Sequence, residues 1–203
     1  LNGWTLTGTP ADAPVVTVAE GAAVTIQDGT ITGKDSRKIE GLITAANANL
    51  TLNDCVVTGN QAGKNGSAII RAEGGSLTIT GGEFRGKSIV EKMGGSDNSG
   101  KIQITDGIFE VDTIATSLGD GTLEISGGNF SKSVPTEYLA SSLNAELKRA
   151  AGTTPYSYYN SIAAATAAAQ PGDTVTELRT TTEETYTVTL KYNDGRADGT
   201  VKA

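Results

Sequence analysis

Three sets of side chains in this sequence have the types and spacing that chemistry needs. Asp28, Asp54 and Asp106 each open a two-residue turn at the same place in a recurring pattern, so stacking would put their carboxylates in one column. Carboxylate oxygens are what a calcium ion takes, about six to eight at a time. Arg71 and Glu73 anticipate Glu91 and Lys92 about one period later, and Arg85 lies 25 residues before Glu110. Mixed charges of this kind either line a polar groove for a saccharide or pair as a solvated cross-strand ladder. The ladder is worth a few tenths of a kcal/mol and is the commoner outcome.

Each set has a plain explanation that the sequence favours. Gly81 takes the place of an aspartate between Asp54 and Asp106, so only Asp28 and Asp54 stand on adjacent levels, and two carboxylates fall short of a calcium shell. Asp in a tight turn ordinarily folds its side chain back onto the local backbone. Histidine is absent, which removes imidazole bases, the Ser-His-Asp triad and the usual zinc enzymes. Cys55 is the only cysteine, so the chain forms no internal disulfide and no cysteine metal cluster. These residues lead us to expect no catalytic residue, no metal and no cofactor, and they assign no binding residue.

The rest of the composition says what must position any site. The chain has 203 residues with 16 basic and 23 acidic side chains, a net charge of −7, which argues against a nucleic-acid partner. No apolar run approaches the roughly 18–20 residues of a membrane span. Leu1 opens the sequence without Met or a signal-peptide pattern, so we expect a processed or trimmed piece of a longer, multi-module chain. Glycine (26) and threonine (29) dominate, and both favour many short strands joined by tight turns over a helical bundle.

Those strands repeat. VTIQDGTITG begins at Val24, LTLNDCVVTG at Leu50, LTITGGEFRG at Leu77, IQITDGIFEV at Ile102 and LEISGGNFSK at Leu123, with spacings of 26, 27, 25 and 21 residues. Aligned, they give a first apolar column (Val24, Leu50, Leu77, Ile102, Leu123) and a second (Ile26, Leu52, Ile79, Ile104, Ile125). Between them runs an outward column of Thr25, Thr51, Thr78, Gln103 and Glu124. That threonine run is broken at Gln103, which argues against an ice-binding face.

The turn follows, with Gly at four of five second positions. Cys55 is the exception, expected to be mildly strained if the position needs positive φ. Beyond the turn stand Ile31, Val57, Phe84, Phe109 and Phe130, a column that holds all three phenylalanines of the chain. A third apolar stretch comes next: Leu42-Ile43, Ile69-Ile70, Ile89-Val90 and Ile114-Ala115. Three short strands per period of 21–27 residues predict a mainly β chain folded as a single-stranded parallel β-helix of about five to six coils over residues 1–131. Trp4, Leu6 and residues 15–18 are the expected N-terminal cap.

All six tyrosines lie at or after Tyr138, which marks a different segment over residues 132–203. There the sequence predicts a small α+β unit. Its helices fall at about 135–150, entered through Pro135, and 158–169, and its strands at about 173–178 and 185–192.

The repeated xTIxGGxFxG units over residues 16–131 resemble the pectin-lyase-like right-handed β-helices of large surface proteins from gut Firmicutes, which are Gram-positive bacteria. Residues 127–131 followed by 134–140 are similar to the segment that closes such helices. Residues 186–195 resemble the opening of a Listeria–Bacteroides repeat, a stalk module of cell-surface proteins. The resemblance implies an extracellular, secreted or cell-surface module, an adhesin segment or stalk. Its partners would be a glycan or a host surface protein. It also implies an alternative, because the same fold carries polysaccharide lyases and glycoside hydrolases. The aspartate pair and Gly-His-Gly segment of the polygalacturonase type have no counterpart here. The surface expected to bind carries Lys34–Lys38, Asn60–Asn65 and Arg71, where the longest variable loops gather.

Overall fold

The computed structural model describes residues 1–8, 13–33, 41–59, 68–91, 100–116, 118, 121–179, 187–190 and 199–202, the last two segments as backbone only. The chain is mainly β and forms a β-solenoid of about three turns built from parallel strands. No helix among the described residues is long and apolar enough to cross a membrane.

One stack of strands carries the repeat: β1 (Thr5–Thr7), β3 (Ala23–Thr32), β5 (Asn49–Thr58), β7 (Ser76–Glu91) and β8 (Lys101–Thr116) lie side by side in parallel. β9 (Thr122–Ile125) and β10 (Asn129–Phe130) pair with two successive parts of β8. The third apolar stretch makes its own stack from β2 (Val16–Val18), β4 (Gly41–Ala46) and β6 (Ala68–Glu73), continued by the ends of β7 and β8.

Every apolar column keeps the register expected from the sequence. Val24 faces Leu50, Leu50 faces Leu77, Leu77 faces Ile102, and Ile102 faces Leu123. Ile31, Val57, Phe84, Phe109 and Phe130 follow one another in the same way. The reason is steric and hydrophobic together. Within each stretch inward and outward positions alternate, and a one-residue slip would turn the apolar set outward. The three phenyl rings stack nearly parallel, Phe84 on Phe109 at 5.0 Å and Phe109 on Phe130 at 4.9 Å between centroids.

The turn between the first two stretches departs from expectation on its first two levels. There the left-handed residue is the first of the pair, Asp28 (φ 50°) and Asp54 (φ 49°), and not Gly29 or Cys55. Aspartate tolerates this region better than most side chains. Cys55 therefore carries no positive-φ strain; it is fully buried, and its thiol donates to the carbonyls of Ile26 (3.2 Å) and Asn53 (3.4 Å). Only from the third level does the second position, Gly82, Gly107 and Gly128, take positive φ.

Residues after Phe130 also fold differently from the sequence reading. The helix expected over 135–150 is a single 3-10 turn, Thr136–Tyr138, followed by strand β11 (Ala145–Lys148). Long-range pairing decides this: Ala145 and Leu147 alternate inward with Glu146 and Lys148 outward, and the strand lies between β12 (Tyr156–Tyr159) and β13 (Thr174–Glu177). The helix expected at 158–169 is shorter. Tyr156–Tyr159 is strand, and α1 spans Ile162–Ala168, with Ser161 Oγ accepting from the Ala164 N–H at 3.1 Å. Where a strand was expected at 173–178, β13 spans Thr174–Glu177. Of the strand expected at 185–192, β14 (Thr187–Leu190) is described, paired with β15 (Gly199–Lys202).

β12 pairs antiparallel with β10, so the parallel ladder turns into an antiparallel sheet that closes this end of the core. Tyr158 continues the ring column, its ring tilted against Phe130 at 6.0 Å. The Tyr158 hydroxyl accepts from the Val134 N–H (2.6 Å) and donates to Glu146 (3.1 Å), and burial pushes its phenol well above the usual range. Arg179 fastens the closing segment by donating to the carbonyls of Thr136, Leu139, Ala140 and Leu143. At the other end Trp4, expected as part of a cap, is 75% exposed, and residues 16–18 form a rung of the third stack instead of a plug.

Candidate functional site

Outward positions of the third stack stand in a file of Thr17, Thr44, Arg71 and Glu91, one per rung, because the strands are in register. Thr44 donates to Thr17 across the rungs at 3.3 Å, and Arg71 Nε donates to Glu73 on its own strand at 2.7 Å. Together with Val18, Ala45 and Ala46 they line a shallow groove of about 250 Å³. The Arg71–Glu73 pair lies within one strand, whereas the sequence set both residues against Glu91 and Lys92 one period later. The loops at 34–38 and 60–65, and Lys92, lie outside the described residues.

A second groove, of about 290 Å³, opens where the solenoid meets the closing sheet. It is lined by Gly86, Glu110, Val111, Asp112, Ser131, Lys132 and Thr153. Its origin is topological. After Phe130 the chain leaves the ladder, so among the described residues the last part of β8 has no following rung, and the Ser131 hydroxyl stands in by accepting from the Val111 N–H (2.8 Å) and donating to the Val111 carbonyl (2.7 Å). Glu110 is held from two sides, by Arg85 Nε at 3.3 Å on the rung above and by the Thr153 hydroxyl at 2.8 Å. Arg85 also approaches Glu83 at 3.5 Å, so the pair foreseen in the sequence belongs to a half-exposed three-member ladder. In that setting each contact contributes well under 1 kcal/mol.

Of the aspartate column, Asp106 folds back onto the adjoining backbone, and Asp28 and Asp54 meet other neighbours. Asp106 Oδ1 accepts from the adjoining Gly107 N–H at 2.7 Å, and Asp28 accepts from the Gln27 side chain at 3.1 Å. The Asp54 carboxylate occupies the space that a side chain at Gly81 would need. Among the described residues no cluster of three or more His, Cys, Asp or Glu is placed to hold a metal ion. Cys55, the single nucleophile of high intrinsic reactivity, is sealed in the core, where burial pushes its thiol up.

The arrangement offers hydroxyls, two opposed charge pairs and two carboxylates facing open grooves, which suits hydrogen bonding to a polar ligand. Asp112, Lys132, Ser131 and Thr153 were not visible as a group in the sequence, because the segment leaving the ladder brings them together. The Thr17–Thr44–Arg71–Glu91 file had a signal, the outward neighbour of each third-stretch residue at the repeat spacing. Compared with protein-family models, curated proteins and solved structures, the chain finds no match.

Proposed function

We propose that this chain is a non-catalytic extracellular surface module, an adhesin segment or stalk that spaces or displays other parts at a bacterial surface. The observation that carries the reading is the unbroken register of the apolar columns, from Val24 to Leu123 and from Ile31 to Phe130. Such a ladder is stiff along its axis, since each rung is hydrogen-bonded and packed to the next at about 4.8 Å. In this reading the described turns belong to a right-handed helix of the pectin-lyase type with the five to six levels expected from the sequence. The repeat motif's resemblance to surface proteins of gut Firmicutes supports the location, and the grooves at Arg71 and Asp112 are where a glycan or a host protein would be held.

A second reading, a carbohydrate-active domain, draws on one observation: Glu110 and Asp112 share the second groove. The experiment that separates the two is a glycan and matrix-protein array run beside turnover assays on acidic and neutral polysaccharides. Binding without turnover, weakened by Arg71→Ala or by Asp112→Asn, is the outcome expected of the module. Turnover abolished by Glu110→Gln or Asp112→Asn would establish the enzyme instead.

A further inference from the structure

Two hydrophobic cores meet at the closing sheet, and one side chain reaches across to the larger. Val134, Leu139, Ala140 and Leu143 belong to the solenoid core, whereas Ala145, Leu147 and Ala165 make a separate, smaller core. Among the described residues β13 pairs with β11 alone, and its Val175 packs on that small core. The bonds of an antiparallel pair lie across the strands, so a pull on the chain beyond β13 would strip it from β11 one bond at a time. Arg179 stands outside the last of these bonds, from the Leu178 N–H to the Asn144 carbonyl at 2.9 Å, and so meets the pull first. Its guanidinium bypasses the small core. It donates to the carbonyls of Leu143 (2.7 Å), Ala140 (2.9 Å), Leu139 (3.0 Å) and Thr136 (3.3 Å), all in the closing segment. That segment is itself fixed to the solenoid, because Leu139 bridges to Ile125 and the Ala140 N–H donates to the Ile125 carbonyl at 2.8 Å.

We propose that Arg179 is a mechanical clamp, which passes a pull on the chain after residue 179 directly to the closing segment and the solenoid and keeps it off β13. The planar guanidinium holds its donors in a fixed fork, so its four contacts share a load and fail together. The bonds of β13, loaded from one end, fail in turn. Each Arg179 contact is also charge-assisted, which makes it roughly twice as strong as a neutral backbone bond. The acceptors are carbonyls, which do not titrate, so the grip persists in acid, where Asp173 loses its charge. The segment that receives the load is packed into the larger core, and the three buried residues of the smaller core are spared it. The inference goes beyond the surface-module reading and survives its failure, since the path of a pull through the chain is the same whatever the chain binds.

Single-molecule pulling on the whole chain, in a Cys55→Ala background, reads this path. One handle is attached at Gln103→Cys, an outward position on β8, and the other at Thr180→Cys, next to the clamp. A second geometry moves the latter handle to Ala151→Cys, an exposed residue between β11 and β12, from which the pull does not pass through Arg179. Arg179→Met keeps an apolar stem and removes the donors. It should lower the rupture force about twofold through residue 180 and leave the force through residue 151 unchanged. Arg149→Met loses the contacts to Asp173 (2.9 Å) and to the Ala168 carbonyl (2.8 Å) near the opposite end of β13, and should leave the force through residue 180 unchanged. Should Arg179→Met fail to give the parent far-UV spectrum, Arg179→Lys, which keeps the charge without the fork, serves in its place with a smaller fall expected. A rupture force through residue 180 that ignores the loss of Arg179 would overturn the inference. So would an equal fall through residues 180 and 151, or an equal fall on Arg149→Met, since either makes Arg179 a general stabiliser of the sheet.

Discussion

Removing the ring of Phe109 is the sharpest perturbation the fold offers. That ring is fully buried, lies 5.0 Å from Phe84 at 12° between planes, and 4.9 Å from Phe130 at 9°. Phe109→Ala deletes the transfer free energy of the ring and leaves a cavity, together costing about 3–5 kcal/mol at a core aromatic. Two stacking contacts of about 0.5–1.5 kcal/mol each vanish with it. Collapse cannot fill the space cheaply, because the ladder fixes Phe84 above and Phe130 below through their own backbones. The loss should therefore fall in the upper half of that range.

Two glycines sharpen the test. A Cβ built on Gly107 would stand 2.9 Å from Phe109 Cζ, and one on Gly128 would stand 3.2 Å from Phe109 Cε2. Gly107→Ala should thus be costly in the parent and less costly in the Phe109→Ala background, the residual being the strain of φ 135°. The assay is equilibrium urea unfolding followed by far-UV circular dichroism, comparing midpoints at constant m. A loss below about 1 kcal/mol for Phe109→Ala, or full additivity with Gly107→Ala, would refute the stacking geometry, since neither fits an aromatic cavity.

The closing sheet should be sensitive at both extremes of pH. The backbone N–H groups of Gln170 and Ala150, with Arg149 at 2.9 Å, hold the Asp173 carboxyl below its usual range. A carboxyl depressed in the folded state stabilises above its unfolded value of about 3.9 and loses that contribution as pH falls through the folded value. Hydrogen exchange of β11 and β13 should accelerate in acid, and Asp173→Asn should flatten that dependence. Tyr158 works in the opposite direction. Its raised phenol stabilises fully below the unfolded value of about 10, and the contribution is lost as pH climbs from there toward the folded value. Tyr158→Phe leaves the Val134 N–H unpartnered by this hydroxyl and should cost about 1–3 kcal/mol at neutral pH, read by the same urea unfolding.

How much of this was legible in the sequence depends on the range of the interaction that decides each element. The apolar columns were readable because alternation within a strand and recurrence every 25–27 residues encode one register twice over, as with Leu50, Leu77 and Ile102. The segment over 135–150 misled because Pro135 followed by Glu137 imitates a helix entry, and only the 3-10 turn Thr136–Tyr138 follows it. Pairing with Tyr156–Tyr159, which lies outside any local window, makes Ala145–Lys148 a strand. The same holds for Arg179, whose four carbonyl partners lie 36 to 43 residues away. Of the candidate sites, the charge pairs at Arg71 and Arg85 were legible as aligned positions, whereas the groove at Asp112 depends on where the chain leaves the ladder after Phe130.

The solenoid and its closing sheet rest on one claim, that segments about 25–27 residues apart lie side by side in parallel. A disulfide test reads that register directly. In a Cys55→Ala background, Thr51→Cys with Thr78→Cys places two outward cysteines on facing positions of adjacent rungs. Thr51→Cys with Thr80→Cys displaces one of them by two residues, to a Cα separation beyond the roughly 7 Å a disulfide can span. Under mild oxidation at low protein concentration, quantitative intrachain bonding of the first pair and little of the second is the outcome expected. Equal bonding of both pairs, or preference for the second, would contradict the registered parallel ladder from which the rest of the account is built.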